Sequence, residues 1–375
     1  MTRNILKNSF LKKSTAEKLT NSQYIRNIIP LYILKGHSMT QLNIGIVGAT
    51  GAVGLEILKL LKKRNFPVKN LRCFASSRSL NTLLPFGEDN IVVEELSDSF
   101  ATSLDLIFFC AGSITSKKYV PIAREAGAIV IDNSSAFRLD HEVPLVIPEV
   151  NPEALQHHKL LIANPNCATI LMLMALSPLH RLAKLKRVVV STYQAASGAG
   201  LRAMEDLRLE TLAHLQGTSY ERTVIPHPYA FNLFLHNSPL HENGYVEEEI
   251  KLLKETRKIL QDSSIQIAAT CVRVPVLRSH AESINAEFHH PISKEEAYLA
   301  LQNAPGIEFL EDYSKNRFPM PIDATGKDSV FCGRIRKDLS QENTLDLWVV
   351  GDQLLKGAAL NAVQIAELLY KKQST

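Results

Sequence analysis

The stretch LNIGIVGATGAVG, residues 42–54, decides the fold of this chain. Its apolar run 42–47 has the length of a buried strand, and an amphipathic segment, 53–64, follows the glycines. Glycines at a strand-to-helix turn permit a tight turn, and the N-terminus of the helix presents free N–H groups to a pyrophosphate. We therefore predict a dinucleotide site at Gly48, Thr50, Gly51, Ala52, Val53 and Gly54.

The rest of the chain divides into two patterns. As far as Pro165, short apolar strands alternate with amphipathic helices, which is typical of a doubly wound parallel (Rossmann-type) α/β sheet. Beyond Pro165, long excursions separate the strand-like segments 187–194, 265–274, 283–289 and 345–350, and we predict a second α+β domain with a mostly antiparallel or mixed sheet. We expect the dinucleotide-binding domain at 40–165, completed by a C-terminal helix in 351–375, and a catalytic and dimerisation domain at 166–350.

Residues 1–39 differ from the rest in charge. Seven basic residues face one acidic residue, Glu17, before Met39, whereas the whole chain of 375 residues has a net charge of only +4. We expect this leader to be disordered, and either transit-like or the product of a start codon called too early, with Met39 directly before the first predicted strand as the alternative start. The remaining chain is slightly acidic and lacks the basic footprint of a nucleic-acid binder.

The cysteines bear on the compartment. Cys73, Cys110, Cys167, Cys271 and Cys332 form no C-x-x-C pair, which fits neither a disulfide framework nor a zinc site. We expect a reducing, cytoplasmic location, or a plastid or other organelle if the leader is a true transit peptide.

Two further classes of protein are excluded by pattern. The longest uncharged apolar run, 168–179, is shorter than the ~20 residues that span a bilayer, so we expect no membrane segment. The histidine pairs 157–158 and 289–290 lack the spacing of metal ligands, and we expect no metal.

The segment after the second predicted strand indicates which dinucleotide binds. An NAD site places a carboxylate there to accept the ribose hydroxyls, but this chain has Ser76, Ser77 and Arg78. Hydroxyls and a guanidinium suit a 2′-phosphate, so we predict NADP. The alternative is an ordinary exposed turn.

Cys167 is the best candidate nucleophile. It follows Asn164-Pro165-Asn166 and opens a long apolar helix, where the helix dipole is expected to lower the pKa of a thiol. The alternative is a packing role. For Cys110 and Cys271, which end or lie within predicted core strands, burial is the expected explanation.

Two polar segments suggest an anionic substrate. Residues 132–138 end in Arg138 at the carboxyl end of a parallel strand, where open α/β sheets bind ligands. Arg273 ends a strand in the second domain, and His280 follows it. Two arginines, a histidine and a thiol in a dinucleotide-binding chain fit catalysis on an anion.

Together these motifs resemble aspartate-β-semialdehyde dehydrogenase. The resemblance extends from 42 to 369 and includes, in the same order, segments 48–54, 130–138, 146–152, 164–169, 192–200, 269–280 and 349–364. It implies reduction of aspartyl phosphate by NADPH to aspartate semialdehyde and phosphate, on the route to lysine, threonine and methionine. It also implies a homodimer or a dimer of dimers, with a small-molecule substrate and phosphate as partners.

The resemblance assigns roles residue by residue. Cys167 would form a thioester, Gln194 would orient the substrate and His280 would act as general acid–base. Arg273 would pair with the substrate carboxylate, Glu248 with its amino group, and Arg138 and Lys251 with phosphate, while Asn166 lies beside the nucleophile. The resemblance adds Ser197, Gly198 and Gln353 to the cofactor site.

The chain departs from the family pattern at three places. The family usually has Ala-Gly-Lys where residues 80–82 are Leu-Asn-Thr, and often Asn-Leu-Arg where 353–355 are Gln-Leu-Leu. It usually has a glycine close before the histidine, where this chain has Leu277, Arg278 and Ser279. Two other functions stay open at this point: N-acetyl-γ-glutamyl-phosphate reductase, whose cysteine typically lies in a Pro-Gly-Cys-Tyr setting, and a non-enzymatic NADP-binding sensor.

Overall fold

The structure, a computed structural model, describes residues 41–371. The predicted leader, 1–39, lies outside the described residues. The strands are β1 Leu42–Val47, β2 Val68–Ala75, β3 Leu83–Phe86, β4 Asp89–Glu95, β5 Leu106–Phe109, β6 Ile129–Asp132, β7 Leu161–Ala163, β8 Leu185–Gln194, β9 Phe234–Leu235, β10 Gln266–Arg273, β11 His280–Phe288, β12 Ile307–Phe309, β13 Val330–Lys337 and β14 Thr344–Gly351. The helices are α1 Ala52–Lys63, α2 Ser113–Glu125, α3 Cys167–Ala183, α4 Leu201–Gln216, α5 Glu247–Leu260, α6 Lys294–Gln302, α7 Pro321–Ala324 and α8 Leu360–Lys371.

The first sheet is the predicted Rossmann-type sheet. Within the described chain it has seven strands in the order β3-β4-β2-β1-β5-β6-β7, and every pairing is parallel except β3 with β4. Strand β1 lies near the centre, and Ile44, Ile46 and Val47 are fully buried. Helices α1 and α8 pack together on this sheet, in one core with buried residues of its strands.

The second sheet is mixed, which confirms that prediction. Its described strands run β12-β13-β14-β11-β8-β10-β9, with β10 parallel to β8 and β11 antiparallel to both β8 and β14. Side chains alternate along β8 and β11 between a buried face and a part-exposed face.

Helix α3 joins the two domains. The run 168–176 is buried throughout, and it packs in one continuous core with residues of both sheets, among them Val130 of β6 and Val190 of β8. This explains why the segment is apolar all round instead of along one stripe. It also places the start of α3, with Cys167, where the two domains meet.

Candidate active site

Cys167 is the first residue of α3, as predicted. The Asn166 side chain caps the helix, because its Oδ1 accepts from the backbone N–H groups of Ala168 (3.0 Å) and Thr169 (3.3 Å). Behind the thiol lies Gly357, where an added Cβ would come within 3.0 Å of the Cβ of Cys167. The nucleophile therefore has a fixed position at a capped helix start.

The expected lowering of the Cys167 pKa is wrong. Burial, reinforced by the carboxylate of Glu248, raises the pKa of Cys167 to about 12, although the charges of Arg273 and Arg138 oppose the rise. The helix start favours the thiolate, but removing the thiol from water costs more. Burial and the Glu248 carboxylate together therefore favour the protonated thiol.

Glu248 connects the predicted polar residues around the thiol. Its Oε1 accepts from Asn166 Nδ2 (2.8 Å) and Gln194 Nε2 (3.4 Å), and its Oε2 accepts from Lys251 Nζ (3.1 Å). Burial opposes ionisation of this carboxyl, but Lys251, His236 and Asn166 outweigh burial and lower its pKa to about 2. Glu248 is thus a buried, ionised carboxylate.

His280 and Arg273 present unpartnered donors. The N–H of Ala195 donates to His280 Nδ1 (3.1 Å), so the proton of the neutral ring is on Nε2. Burial, reinforced by the charge of Arg273, lowers the pKa of His280 to about 3 and keeps the ring neutral. Within the described residues, His280 Nε2 and Arg273 Nε are both buried and have no hydrogen-bond partner.

Gly198 keeps the space beside these donors open. An added Cβ would come within 2.8 Å of Arg273 Nη1 and 3.0 Å of His280 Nε2. Buried polar groups are rarely left unpaired, so the unpartnered Nε2 of His280 beside Gly198 points to a ligand with an acceptor oxygen.

Arg138 is more tightly held than the sequence suggested. Its guanidinium donates to Asn164 O (2.8 Å), Asn133 O (2.8 Å) and Glu255 Oε1 (3.1 Å), which uses three of its five N–H groups. The other oxygen of Glu255 accepts from the backbone N–H of Asn166 (2.6 Å). A single carboxylate therefore ties the predicted phosphate ligand to the residue that caps the nucleophile's helix.

A cleft of about 1060 Å³ borders the glycine turn. It is lined by predicted cofactor residues Gly48, Thr50, Gly51, Ala52, Ser76, Ser77 and Arg78, together with the unpredicted residues Leu96, Tyr119 and Arg202. Gly48 has φ +83°, and a Cβ there would come within 2.8 Å of the backbone of Cys110. No side chain caps α1 at Gly51 in the described structure, so its first N–H groups are available to a phosphate.

Five predicted cofactor residues lie away from the lining of this cleft. Val53 packs against the core, and a Cβ on Gly54 would collide with the Gly48 carbonyl, so Gly54 serves the turn itself. Gly198 lies against Arg273 and His280, as described. Ser197 and Gln353 are buried and hydrogen-bonded to one another.

The structure corrects the expectation for Cys110. Cys271 is buried as expected, but Cys110 is only partly buried and lines the cleft. The reason is that β5 ends at Phe109, and the chain leaves the core at the carboxyl edge, where the cleft opens.

Sequence reasoning missed two residues that support the site. Glu255 lies seven residues after Glu248 on α5, and that spacing on one helix face was the available signal. His236 lies 2.8 Å from Arg273 Nη2 through Nε2, and no pattern in the sequence pointed to it. No cluster of three or more metal-ligating residues occurs in 41–371, and no described helix is both long and apolar enough to cross a membrane.

Comparisons with known proteins agree across both domains. Residues 43–158 match the family model for the semialdehyde dehydrogenase NAD binding domain, and residues 176–356 match that for the semialdehyde dehydrogenase dimerisation domain. An aspartate-semialdehyde dehydrogenase of Synechocystis sp. is 53% identical over 331 residues, which cover 88% of this chain and 98% of the relative. One from Bacillus subtilis is 44% identical, covering 88% and 98%.

Solved structures show the same similarity. The crystal structure of aspartate semialdehyde dehydrogenase II complexed with ASA from Vibrio cholerae has a TM-score of 0.86 and 43% identity, covering 88% of this chain and 99% of that one. That of the Candida albicans enzyme with NADP has a TM-score of 0.70 at 24% identity, covering 89% and 99%, and shows the shared fold.

Proposed function

The chain belongs to the aspartate-semialdehyde dehydrogenase family, NADP-dependent oxidoreductases, and on that premise we propose how its own residues perform the reaction. The reaction reduces L-4-aspartyl phosphate to L-aspartate 4-semialdehyde and releases phosphate. We assign catalysis to Cys167, His280 and Gln194. One observation carries the assignment: a capped helix start holds the Cys167 thiol in electrostatic range of Arg273, beside buried donors that have no partner. These donors are Arg273 Nε and His280 Nε2, neither of which has a hydrogen-bond partner in the described chain.

Covalent chemistry takes place at the sulfur of Cys167. The thiolate attacks the acyl carbon of aspartyl phosphate, a C–S bond forms, the C–O bond to phosphate breaks, and phosphate leaves with a proton from the medium. NADPH supplies the hydride that reduces the thioester carbon. The resulting oxyanion collapses, the C–S bond breaks, and the aldehyde and the Cys167 thiolate separate.

His280 and Gln194 serve the reacting oxygen. With its proton on Nε2, the neutral imidazole donates toward the oxygen that becomes negative in each tetrahedral adduct. Gln194 is buried, and its contact with Glu248 is long, at 3.4 Å, so its amide can turn to the substrate. His280 and Gln194 would together hold the substrate's acyl carbonyl where the sulfur of Cys167 can attack its carbon.

Four charged residues recognise the substrate. Arg273 offers a planar guanidinium to the α-carboxylate, and Glu248 offers its ionised carboxylate to the ammonium group. Arg138 and Lys251 bind phosphate, with Asn166 beside them. When the substrate ammonium pairs with Glu248, the charge of that carboxylate is offset, which removes one of the causes that raise the Cys167 pKa.

NADP fits the cleft described above. The open N-terminus of α1 and the turn made by Gly48, Gly51 and Gly54 would hold the pyrophosphate. Exposed Ser76, Ser77 and Arg78 at the end of β2 would hold the 2′-phosphate. Ser197, Gly198 and Gln353 would lie toward the nicotinamide end, near His280.

We also infer the assembly and the domain division. Residues 40–165 with 351–375 form the cofactor domain, and 166–350 form the catalytic and dimerisation domain. The part-exposed face of β8 and β11, with Ser191, Tyr193 and Ser283, supports a homodimer through this sheet. Sedimentation equilibrium should give twice the chain mass or a multiple of it, and a monomer at micromolar concentration would refute this.

A reducing, cytoplasmic location fits the free thiols of the described cysteines. If residues 1–39 act as a transit peptide, the compartment is an organelle. Fractionation of cells that express the full chain distinguishes the two locations.

The activity is tested by reduction of NADP with aspartate semialdehyde in the presence and absence of phosphate. Phosphate-dependent turnover that is lost in Cys167→Ala, while NADPH still binds, is the expected result. Turnover with N-acetylglutamate semialdehyde instead would favour the N-acetyl-γ-glutamyl-phosphate reductase activity.

A further inference from the structure

Residues 274–279, named here the 274–279 corner, join two residues of the site. The corner leaves β10 at Arg273 and enters β11 at His280. It crosses the end of β8, where Val276 O accepts from Ala196 N (2.8 Å) and Leu277 O accepts from Ser197 N (3.0 Å). The shape of the corner therefore sets where the imidazole of His280 lies relative to the guanidinium of Arg273.

Ser279 holds an unusual backbone conformation within this corner. Its φ is +76°, in the left-handed region that disfavours residues with a side chain, and it is fully buried. Such a conformation persists only where the surroundings over-determine it. Here the Ser279 N–H donates to Gln353 Oε1 (3.0 Å), and the Ser279 hydroxyl bonds to that of Thr325 (2.8 Å).

Arg278, the neighbouring residue, ties the corner to two other segments. Its Nε donates to Asp352 Oδ2 (2.7 Å), and its Nη1 donates to Glu56 Oε1 (2.9 Å). Asp352 is fully buried and also accepts from the backbone N–H of Gly326 (2.7 Å) and Leu354 (3.0 Å).

Glu56 belongs to the cofactor side of the molecule. It lies in α1, two residues after Gly54, and only 12% of its side chain is exposed. The Arg278 guanidinium thus lies between two carboxylates. Glu56 belongs to the cofactor-binding helix, and Asp352 belongs to the turn before Gly357, the residue that lies against Cys167.

We propose that Arg278 is a positioning residue that fixes His280 relative to the cofactor-binding helix α1, through Glu56 and Asp352. This rests on the function proposed above. The argument is geometric: the corner carries a strained residue directly before His280, and only Arg278 in the corner bonds by its side chain to α1 in the described chain. Loss of the guanidinium removes the cation shared by Glu56 and Asp352, and leaves Glu56 with Lys59 (3.5 Å) as its remaining ion-pair partner in the described chain.

The test compares Arg278→Met with Arg64→Met. Arg64 is a matched control, because it lies at the C-terminal end of α1, far from the corner. There its guanidinium forms a half-buried bidentate ion pair with Glu367, through two hydrogen bonds of 2.7 and 2.8 Å. Arg278→Met should lower kcat roughly tenfold to a hundredfold and raise KM for NADPH, because small misplacements at a reacting centre cost that much. Arg64→Met should lower Tm but keep both constants within about twofold of wild type.

Coupling to Glu56 separates positioning from general destabilisation. Glu56→Gln/Arg278→Met should lose no more kcat than Arg278→Met alone, since both changes break one link. If Arg278→Met does not fold, Arg278→Lys carries the same test, because an ammonium cannot bond both carboxylates as the planar guanidinium does.

Two results overturn the proposal: a folded Arg278 variant with unchanged kcat and KM for NADPH, or effects of the Glu56 and Arg278 changes that simply add. The same comparison of single and double variants can be made without turnover, by measuring NADPH affinity in a fluorescence titration. A wild-type protein that binds NADPH but lacks activity would therefore refute the proposed function and still leave the Arg278–Glu56 coupling measurable.

Discussion

Replacing Glu255 by glutamine should destabilise the protein and weaken phosphate binding together. The Glu255 carboxylate is buried, with 1% of its side chain exposed, and it bonds both Arg138 Nη1 (3.1 Å) and the Asn166 N–H (2.6 Å). A glutamine has one acceptor oxygen and no charge, so one donor loses its partner and Arg138 becomes an uncompensated buried cation.

The magnitude follows from that geometry. Breaking a buried ion pair by removing one partner costs about 3–5 kcal/mol, and glutamine, which keeps one hydrogen bond, belongs at the lower end. At roughly 2–4 °C per kcal/mol for domains of this size, Tm should fall by about 6–12 °C. KM for phosphate should rise about tenfold, the equivalent of one charge-assisted hydrogen bond of ~1.5 kcal/mol, because the guanidinium of Arg138 is no longer oriented.

Thermal unfolding and oxidative-direction kinetics measure both effects. Glu142→Gln is a suitable control, because it breaks a shorter ion pair, with Lys159 (2.7 Å), at the surface, where 54% of the Glu142 side chain is exposed. We expect that control to leave Tm and KM for phosphate unchanged. A Glu255→Gln protein that behaves like the control would refute the role of Glu255.

Other predictions concern the charges of the site. Arg273→Lys should severely impair the kinetic constants for the semialdehyde despite conserving charge, whereas Lys251→Arg should have a mild effect, on KM for phosphate. If Arg273→Lys changed only KM for phosphate, the assignments of the carboxylate site and the phosphate site would have to be exchanged. Arg78→Ala should raise KM for NADPH and hardly change that for NADH, as loss of ~1.5–3 kcal/mol of a charged contact predicts, and equal effects on both cofactors would contradict this. With the pKa of Cys167 raised to about 12, iodoacetamide alkylation of the ligand-free protein should rise steadily from pH 7 to pH 10; Glu248→Gln should move the profile to lower pH, and a plateau near pH 8 in the wild type would contradict the raised pKa.

The sequence was sufficient to predict the start of the first sheet. The run 42–54 combines three independent local signals, namely a strand-length apolar run, glycines at a required turn and an amphipathic stripe, and the structure places β1 and α1 there. Strand β12 was missed because its three residues carry no measurable alternation of apolar and polar side chains. Strand β13 was missed because Gly333 and Arg334 interrupt its apolar pattern at a register shift.

The site was only partly predictable for a different reason. Cys167 could be predicted because the residues before it terminate a strand and cap a helix, which is local information. Its pKa could not, because burial and the field of Glu248 come from a helix some 80 residues later in the chain. His236 and Glu255 support Arg273 and Arg138 through contacts that only the tertiary structure creates.

The covalent intermediate on Cys167 is the central claim, and peptide mass spectrometry of the acid-trapped protein tests it most directly. The enzyme is incubated with aspartyl phosphate in the absence of NADPH, quenched in acid and digested. We predict a mass increase of one aspartyl group, mapped to the peptide that contains Cys167 and absent from Cys167→Ala. An adduct on any other residue, or full phosphate-dependent turnover by Cys167→Ala, would contradict the account.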